Sequence, residues 1–374
     1  MNPPANRREP PDRACTRSRR RGRARSVGAG TGHQFSVIID VRSPGEYAED
    51  HLPGAINLPV LDDAERAEIG TIYKQVSTFE ARRLGAAKVS RNIARHLDGA
   101  LKDYPRDVRP LIYCWRGGMR SRSMALVLQD VGWQSSVVKG GYRLWRKEVT
   151  AALSNDDHDL FQMIVLDGQT GSAKTQVLQA IEKKGAQVLD LEDLAAHRGS
   201  IFGDHPDLLQ PSQKRFESLL WESLRNFDPS VPVFVEAESS RLGNRTIPVR
   251  VWNSMKAAPT IALSLPAEVR ARHLLATYPD IAANGPRLQA AIDGLAQFHP
   301  RADVDQWRMW AEAGAFEPLA VALIRSHYDP AYDRARARHD QPLAANVDAD
   351  RLDADAIEQL AERVLIEAKR VIRI

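Results

Sequence analysis

Residues 163–175 carry the stretch Met-Ile-Val-Leu-Asp-Gly-Gln-Thr-Gly-Ser-Ala-Lys-Thr, and this stretch decides the fold of the second half of the chain. It begins with an apolar run typical of a buried strand and continues through glycines into the helix-compatible residues 176–183. A strand, a loop and a helix in this order form an anion site, because the loop N–H groups and the helix N-terminus both attract phosphate. The predicted phosphate-binding loop comprises Gly168, Gln169, Thr170, Gly171, Ser172, Ala173, Lys174 and Thr175.

Three residues of this loop carry its chemistry, which follows the Walker A pattern. Lys174 is expected to neutralise the terminal oxygens of a diphosphate, and Thr175 can reach a Mg²⁺ ion. Ala173 stands where the pattern has glycine, and its methyl group is tolerable only if its φ stays below zero. The pattern does not distinguish ATP, GTP or another diphosphate as the ligand, and a fortuitous glycine-rich turn is the alternative.

Charged residues elsewhere in this half are predicted to support the loop. The set comprises Glu236, Glu238, Arg241, His197, Arg198, Arg270 and Arg272. Glu236 directly ends an apolar run, so it is favoured over Glu238 as the acidic group that faces metal or water. Arg270 and Arg272 are predicted to close over the phosphate as a lid. The polar segment around His197 is either part of the site or a capped helix end with solvated charges.

The first half of the chain alternates short apolar runs with helix-compatible stretches. The runs at 35–40, 109–114 and 136–139 have the composition of buried strands, and residues 77–101 and 121–131 have that of helices. Strands that alternate with helices form parallel sheets. The predicted fold class is therefore α/β for both halves, followed by a helical, charge-rich C-terminal region.

Cys114 ends one of these strands and opens a loop that leads into a helix, Cys114-Trp-Arg-Gly-Gly-Met-Arg-Ser121. Glycines let successive backbone N–H groups converge on an anion, and the helix N-terminus adds positive potential, so the thiol pKa is expected to fall. We predict Cys114 and Arg120 as catalytic residues, and a buried structural cysteine is the alternative. The anion loop is predicted to comprise Trp115, Arg116, Gly117, Gly118 and Met119.

This loop and three flanking motifs resemble the rhodanese family over residues 34–150. The motifs are Asp40-Val-Arg-Ser-Pro-Gly-Glu-Tyr47, His51-Leu-Pro-Gly-Ala-Ile-Asn57 and Lys139-Gly-Gly-Tyr142. A typical sulfurtransferase loop resembles Cys-x4-Arg, whereas five residues separate Cys114 from Arg120. The wider ring suits a tetrahedral phosphate-like group. It also resembles the loop of rhodanese-fold phosphatases, which makes dephosphorylation a rival activity.

Length and charge set the domain organisation. The 374 residues exceed what one core fills, so we predict a disordered Arg-rich tail at 1–33, a rhodanese-like domain at 34–150, a P-loop NTPase-like domain at 160–265 and a helical region at 266–374. The tail carries a charge of +7, which leaves −3 on the rest, so a polyanion must be bound by a local patch. An RNA-contacting arm and a transit peptide are the alternatives for the tail.

Composition bears on the compartment and on RNA binding. Two cysteines, a mean hydropathy of −0.39 and only short apolar runs favour a cytoplasmic protein with no membrane segment, secretory signal or disulfide framework. The helical C-terminal region is rich in basic and aromatic side chains, which are predicted to form a surface for a folded RNA. The aromatic members of that surface are Trp307, Trp310, His327, Tyr328 and Tyr332.

Together, the two halves and two short motifs resemble the tRNA 2-selenouridine synthase family over residues 34–340. The motifs are His197-Arg-Gly-Ser-Ile-Phe-Gly203 and Gln210-Pro-Ser-Gln-Lys214. The resemblance implies an enzyme that replaces the sulfur of wobble 2-thiouridine in tRNA with selenium from selenophosphate, after alkylating that sulfur with a geranyl group from geranyl diphosphate. It implies these two co-substrates, no tightly bound cofactor, and as partners tRNA and a selenophosphate-supplying enzyme.

Within that resemblance, the phosphate loop would hold the diphosphate of the geranyl donor without hydrolysing ATP. Mg²⁺, if it is bound, would lie at Thr175 and Glu236. Cys114 would hold selenophosphate or a selenium-bearing intermediate, with Arg120 neutralising the phosphate. Three rival functions stay open: a plain thiosulfate sulfurtransferase, a phosphatase, and a nucleotide-regulated tRNA-binding adaptor without chemistry.

Overall fold

The structure is a computed structural model of the chain, and it describes residues 35–154, 161–197, 209–277, 285–338 and 343–372. The predicted tail at 1–33 and the candidate Arg198 lie outside the described residues. None of the helices in the described ranges combines the length and the apolar character that a membrane crossing requires.

The first sheet is parallel and lies in the N-terminal half, as predicted. It consists of β1 (Val37–Asp40), β2 (Ala55–Asn57), β3 (Pro110–Tyr113) and β4 (Ser136–Val137), in the order β2-β1-β3-β4. Its helices are α1 (Pro44–Glu49), α2 (Asp63–Gln75), α3 (Thr78–Asp98), α4 (Met119–Val131) and α5 (Gly141–Leu153).

Each face of this sheet buries its own apolar core, because successive strand residues point to opposite faces. Ile112 of β3 packs with Val89 of α3 in one core. Its neighbour Tyr113 packs with Trp145 of α5 in the other, which continues to Phe216 in the second half of the chain. α3 and α5 therefore lie in different cores.

The second sheet is also parallel and contains the predicted phosphate loop. Its strands are β5 (Met163–Gly168), β6 (Gln187–Leu189), β7 (Val233–Glu236), β10 (Thr260–Ser264) and β11 (Leu343–Asp348), in the order β11-β10-β5-β7-β6. A short antiparallel hairpin, β8 (Arg241–Leu242) and β9 (Arg245–Thr246), lies between β7 and β10 in the chain. The helices up to this point are α6 (Lys174–Lys183), α7 (Leu191–Ala195), α8 (Gln213–Arg225), α9 (Val249–Ala257) and α10 (Ala267–Thr277).

The C-terminal region is helical, as predicted, but one segment of it belongs to the second sheet. Its helices are α11 (Gly285–Leu295), α12 (Arg301–Glu312), α13 (Phe316–Leu323), α14 (Asp329–Arg338) and α15 (Ala354–Ile372), with a π-helical turn at Ile324–Tyr328. β11 pairs in parallel with β10, and Leu360 and Val364 of α15 pack with Val177 of α6. A domain boundary at residue 265 therefore cuts through one sheet and its core.

The aromatic RNA surface predicted for this region is wrong for Trp307. Its side chain is 2% exposed and packs with Ile292 and Leu319 in a core formed by α11, α12 and α13. The hydroxyl of Tyr328 is also buried. These rings hold the helices together because removing large apolar surface from water is the main stabilising term available to a small helical unit.

The two halves are joined by a buried polar contact beneath α5. Ser218 of α8 donates to the carboxylate of Asp50 at 2.8 Å, and Tyr142 of α5 donates to the same oxygen at 2.8 Å. Trp145 of α5 also donates to Ser218, at 3.2 Å. Burial raises the pKa of Asp50, and the hydrogen bonds from Tyr142 and Ser218 oppose that rise. The helix next to the Cys114 loop is thus fixed to the P-loop half.

Candidate functional site

Cys114 follows β3 directly and is 3% exposed. Its Sγ lies 3.2 Å from Oγ of Ser121, and the backbone N–H of Gly118 donates to it at 3.2 Å. Gly118 is the N-cap residue of α4, so the sulfur lies at the positive end of that helix. Ser121 was not among the predicted site residues, although it ends the quoted loop; its signal was a small hydroxyl residue in the first turn after the glycines.

Hydrogen bonds lower the pKa of the Cys114 thiol. Burial raises the pKa of Cys114, but contacts with Ser121 and with the backbone N–H groups of Arg116 and Gly118 outweigh it, so the net pKa is lowered. Each of these contacts favours the thiolate, which is the nucleophilic form. The surroundings of Cys114 therefore favour its thiolate form, and its catalytic role stays a prediction.

The loop is held from the side by the N-terminus of α5. The N–H groups of Tyr142 and Arg143 donate to the carbonyls of Cys114 and Trp115, both at 2.9 Å. Gly141 makes this approach possible: its φ is +58°, and a Cβ there would lie 2.2 Å from the Cys114 carbonyl oxygen. A substitution at Gly141 would push the loop away.

The other predicted loop residues form an exposed rim. Trp115, Arg116 and Met119 are exposed. Arg120 donates to Glu46 of α1 at 3.1 Å, and burial of Glu46 is outweighed by Arg120 so that the pKa of Glu46 is lowered. A bound phosphate would therefore share Arg120 with Glu46, and the catalytic role of Arg120 stays a prediction.

The phosphate loop follows β5, which has a paired strand on either side in the second sheet. Lys174 begins α6, and its Nζ donates to the carbonyl of Gly168 at 2.8 Å and lies 3.6 Å from Oε1 of Glu236. Oγ1 of Thr175 donates to Oε2 of Glu236 at 3.1 Å. The structure thus brings together Lys174, Thr175 and Glu236 where β7 ends beside β5.

Ala173 has a left-handed backbone conformation, with φ of +59° and ψ of +27°. The condition under which its methyl group is tolerable, a negative φ, is not met. A left-handed conformation costs an L-residue about 1–2 kcal/mol relative to the right-handed one. The loop keeps the shape that the usual glycine would allow and carries this strain.

A third carboxylate joins Glu236 and the predicted Glu238. Carboxylate oxygens of Glu192, Glu236 and Glu238 all lie within 4.8 Å of one another, and Thr175 Oγ1 lies 3.5 Å from Glu192. Burial, followed by the charges of Glu236 and Glu238, raises the pKa of Glu192 to about 9. Burial and Glu236 raise that of Glu238 to about 7. The sequence did not predict Glu192 for the phosphate site, because Glu192 lies in the same polar segment as His197.

Arg270 contacts the loop but is held in place. Its guanidinium is 3% exposed, donates to the carbonyl of Thr170 at 3.2 Å and pairs with Asp329 of α14. Arg272 lies on the surface and pairs with Glu317 at 3.3 Å. A lid role for either arginine stays a prediction. In the structure, Arg270 links the phosphate loop to Asp329 of α14.

His197 and Arg241 lie at the β8–β9 hairpin. A Cβ on Gly243, in the hairpin turn, would lie 2.9 Å from Nε2 of His197. Arg241 is exposed and begins β8. Gln210 holds the same hairpin by donating to the carbonyl of Leu242 at 3.0 Å. A supporting role of His197 and Arg241 at the phosphate loop stays a prediction.

Comparison with known proteins agrees with this arrangement. Residues 26–148 match the family model of the rhodanese-like domain, and residues 161–305 match that of the tRNA 2-selenouridine synthase AAA domain. A tRNA 2-selenouridine synthase of Cupriavidus necator is 34% identical over 348 residues, which cover 79% of this chain and 87% of that protein. One from Chromohalobacter salexigens is 36% identical over 244 residues, or 65% of each chain, and one from Nitrosomonas europaea is 36% identical over 63% of its own length.

Fold and site define a two-part α/β protein in which a rhodanese-like domain, with a cysteine of lowered pKa in its loop, precedes a P-loop domain. The chain belongs to the tRNA 2-selenouridine synthase family. The matched region spans about two thirds of the length of the Chromohalobacter and Nitrosomonas relatives.

Proposed function

We propose that this chain replaces the sulfur of wobble 2-thiouridine in tRNA with selenium from selenophosphate, through an S-geranylated intermediate. The observation that carries the proposal is a cysteine of lowered pKa at the N-terminus of a helix, on the same chain as a P-loop. A thiosulfate sulfurtransferase would use only the first of these two sites. Because the chain belongs to this family, we expect tRNA to be the substrate that is modified with the help of both sites.

In the first step, the thiouridine sulfur bonds to the terminal carbon of geranyl diphosphate while the carbon–oxygen bond to the diphosphate breaks. A thiocarbonyl sulfur is a poor leaving group until it carries such a substituent. Lys174 would bind the departing diphosphate with its ammonium group, which donates to the carbonyl of Gly168 in the loop and lies 3.6 Å from Oε1 of Glu236. No ATP hydrolysis is needed, since the diphosphate itself is the leaving group.

In the second step, selenium bonds to C2 of the base as geranylthiolate leaves, and water then cleaves the selenium–phosphorus bond. We propose that the loop after Cys114 holds the selenophosphate, with Arg116 and Arg120 facing its oxygens. The Cys114 thiolate would help to position the selenophosphate, without forming a bond to its selenium. The wide loop fits this role because it presents N–H donors to a tetrahedral group.

Mg²⁺ fits the carboxylate cluster of the P-loop half. Glu192, Glu236, Glu238 and the hydroxyl of Thr175 offer the oxygen ligands that a hard cation requires. Burial, together with the charges of the neighbouring carboxylates, raises the pKa values of Glu192 and Glu238, and a bound cation would offset both causes. When bound, the ion would supply positive charge to a leaving diphosphate.

Nucleoside analysis of bulk tRNA tests the proposal in a strain that lacks the protein and carries plasmid-borne variants. Cys114→Ser should accumulate geranylated thiouridine without selenouridine. Lys174→Ala should form neither, yet the purified variant should convert chemically geranylated tRNA to the seleno form. Normal selenouridine with Cys114→Ser, or a requirement for ATP hydrolysis at each turnover, would refute the two-step assignment.

A further inference from the structure

A groove of about 370 Å³ lies beside the Cys114 loop, on the surface of α5. Its walls include the ring of Trp115 and the side chains of Arg143 and Lys147. The ring is 38% exposed and lies 5.3 Å from that of Tyr142 at an interplanar angle of 40°. An aromatic face is therefore open to solvent next to the buried thiol.

The position of the groove relative to Cys114 is fixed by the backbone and by hydrogen bonds. Trp115 follows Cys114 in the chain, and its carbonyl accepts a hydrogen bond from the N–H of Arg143 at 2.9 Å. Tyr142, at the floor of the groove, is fixed by its hydrogen bond to Asp50. A substrate lying in the groove therefore has a defined position relative to Sγ.

Two further cations line the groove. Arg143 and Lys147 are four residues apart on α5, so they lie on one face of the helix. Across the described ranges neither of them lies within ion-pair distance of a carboxylate, whereas the neighbouring Arg146 is tied to Glu217 and to the carbonyl of Lys214. The net charge of residues 34–374 is negative, so these cations form the kind of local patch that a polyanion requires.

We propose that this groove binds the single-stranded anticodon loop of the substrate tRNA, with one base stacked on Trp115 and the backbone beside Arg143 and Lys147. The proposal rests on the proposed function and adds the place of RNA recognition. An exposed aromatic face flanked by cations is the standard platform for unpaired nucleotides. The reacting base must also reach Cys114, which precedes Trp115 in the chain.

The test uses the full-length chain and an anticodon stem-loop RNA that carries 2-thiouridine, with Kd measured by fluorescence anisotropy over a range of salt concentrations. Loss of one stacked base by Trp115→Ala should weaken binding about 5-fold to 150-fold, while Trp115→Phe should retain most of it. The double variant Arg143→Ala/Lys147→Ala should reduce the slope of log Kd against log salt by about 1.4, because each single-strand phosphate contributes about 0.7.

A matched control removes two exposed arginines of α3, Arg82→Ala/Arg91→Ala, because α3 packs in the other core of this domain. The control should leave Kd and slope unchanged. Melting temperatures close to that of the unaltered protein would show that the groove variants are folded. If Trp115→Ala does not fold, Trp115→Phe and Arg143→Ala/Lys147→Ala still test the inference.

The outcomes separate this inference from the proposed function. If the unaltered protein converts the RNA but the groove variants bind it with unchanged Kd and slope, the groove inference is refuted and the function stands. If the groove variants lose affinity only for geranyl diphosphate, the groove inference is likewise refuted. If the unaltered protein binds the RNA through the groove yet never changes its 2-thiouridine, the proposed function fails instead.

Discussion

Arg270 and Asp329 form a bidentate ion pair in which both nitrogen–oxygen distances are 2.8 Å. The same guanidinium donates to the carbonyl of Thr170 in the phosphate loop. A Cβ on the next loop residue, Gly171, would lie 2.8 Å from the carbonyl oxygen of Arg270, so the loop also lies close to the backbone of α10. The pair therefore fastens the phosphate loop to α14, an element far away in sequence.

Removing the guanidinium by Arg270→Ala should destabilise the fold and the loop together. Breaking a buried pair leaves its partner uncompensated and costs about 3–5 kcal/mol. Asp329 is 19% exposed, so we expect a value near the lower end. Urea unfolding measures the loss, and diphosphate affinity should fall with it. Arg272→Ala is the control, because its pair with Glu317 is exposed and contributes about 0–1 kcal/mol. Equal effects of the two variants would contradict the bracing role.

The sequence predicted the elements whose determinants are local. The Cys114 loop and the phosphate loop each follow an apolar strand and precede a helix, and glycines at fixed spacing mark the turn between them. For that reason the two parallel α/β halves and the positions of Cys114, Lys174 and Glu236 could be derived without a structure.

The missed features depend on contacts between distant segments. β11 carries a short, weakly apolar run, and only its pairing with β10 makes it a strand of the second sheet. Glu192 approaches Thr175 because β6 and β7 are neighbours in the sheet, which the spacing along the chain does not reveal. Trp307 was placed on the surface because a helical pattern alone does not show which side faces a partner helix.

Ala173→Gly should stabilise the protein. The left-handed conformation at this position costs alanine about 1–2 kcal/mol, whereas glycine adopts it freely. Part of that gain is offset by the greater freedom of glycine in the unfolded chain, so we expect about 0.5–1 kcal/mol. The control Ala180→Gly, in the interior of α6, should destabilise by about 1 kcal/mol. Denaturant midpoints compare the two, and a loss of stability at both positions would show that the strain at Ala173 is absent.

Ser121→Ala should raise the pKa of Cys114. Burial then acts on the thiol with one opposing hydrogen bond fewer. In a Cys15→Ser background, the ultraviolet absorbance of the thiolate should titrate at higher pH than in the parent, and the selenium-transfer step should need a higher pH. Ser123→Ala, two residues further along the same helix and therefore on a different face, is the matched control. An unchanged titration midpoint would remove Ser121 from the site.

The sign of the accompanying stability change follows from linkage. The folded-state pKa of Cys114 lies below its ordinary value, so the thiolate stabilises the fold above the unfolded-state pKa. This contribution is lost as the pH falls through the folded-state pKa. The Ser121→Ala variant should therefore lose stability relative to the parent under alkaline conditions and match it more closely under acidic ones.

Glu192→Gln should stabilise the metal-free protein at alkaline pH. The folded state holds a proton on Glu192 up to a pKa of about 9, while the unfolded chain releases it near its ordinary value. Between these limits the folded state binds more protons, so its stability falls as pH rises, by up to about 1.4 kcal/mol per pH unit for each such proton. Glutamine removes this dependence because its neutral side chain needs no proton.

Thermal unfolding in the presence of a chelator, from about pH 5 to pH 9, measures this effect across the window set by the two pKa limits. The melting temperature should decline more steeply in the parent than in Glu192→Gln. Adding Mg²⁺ should restore stability to the parent most strongly at high pH, where the carboxylates are charged, and less to the variant, which has lost one anionic ligand. Glu182→Gln, an exposed site on α6, controls for the change in net charge. Parallel profiles for the parent and Glu192→Gln, with and without Mg²⁺, would show that the cluster neither shares protons nor binds the cation.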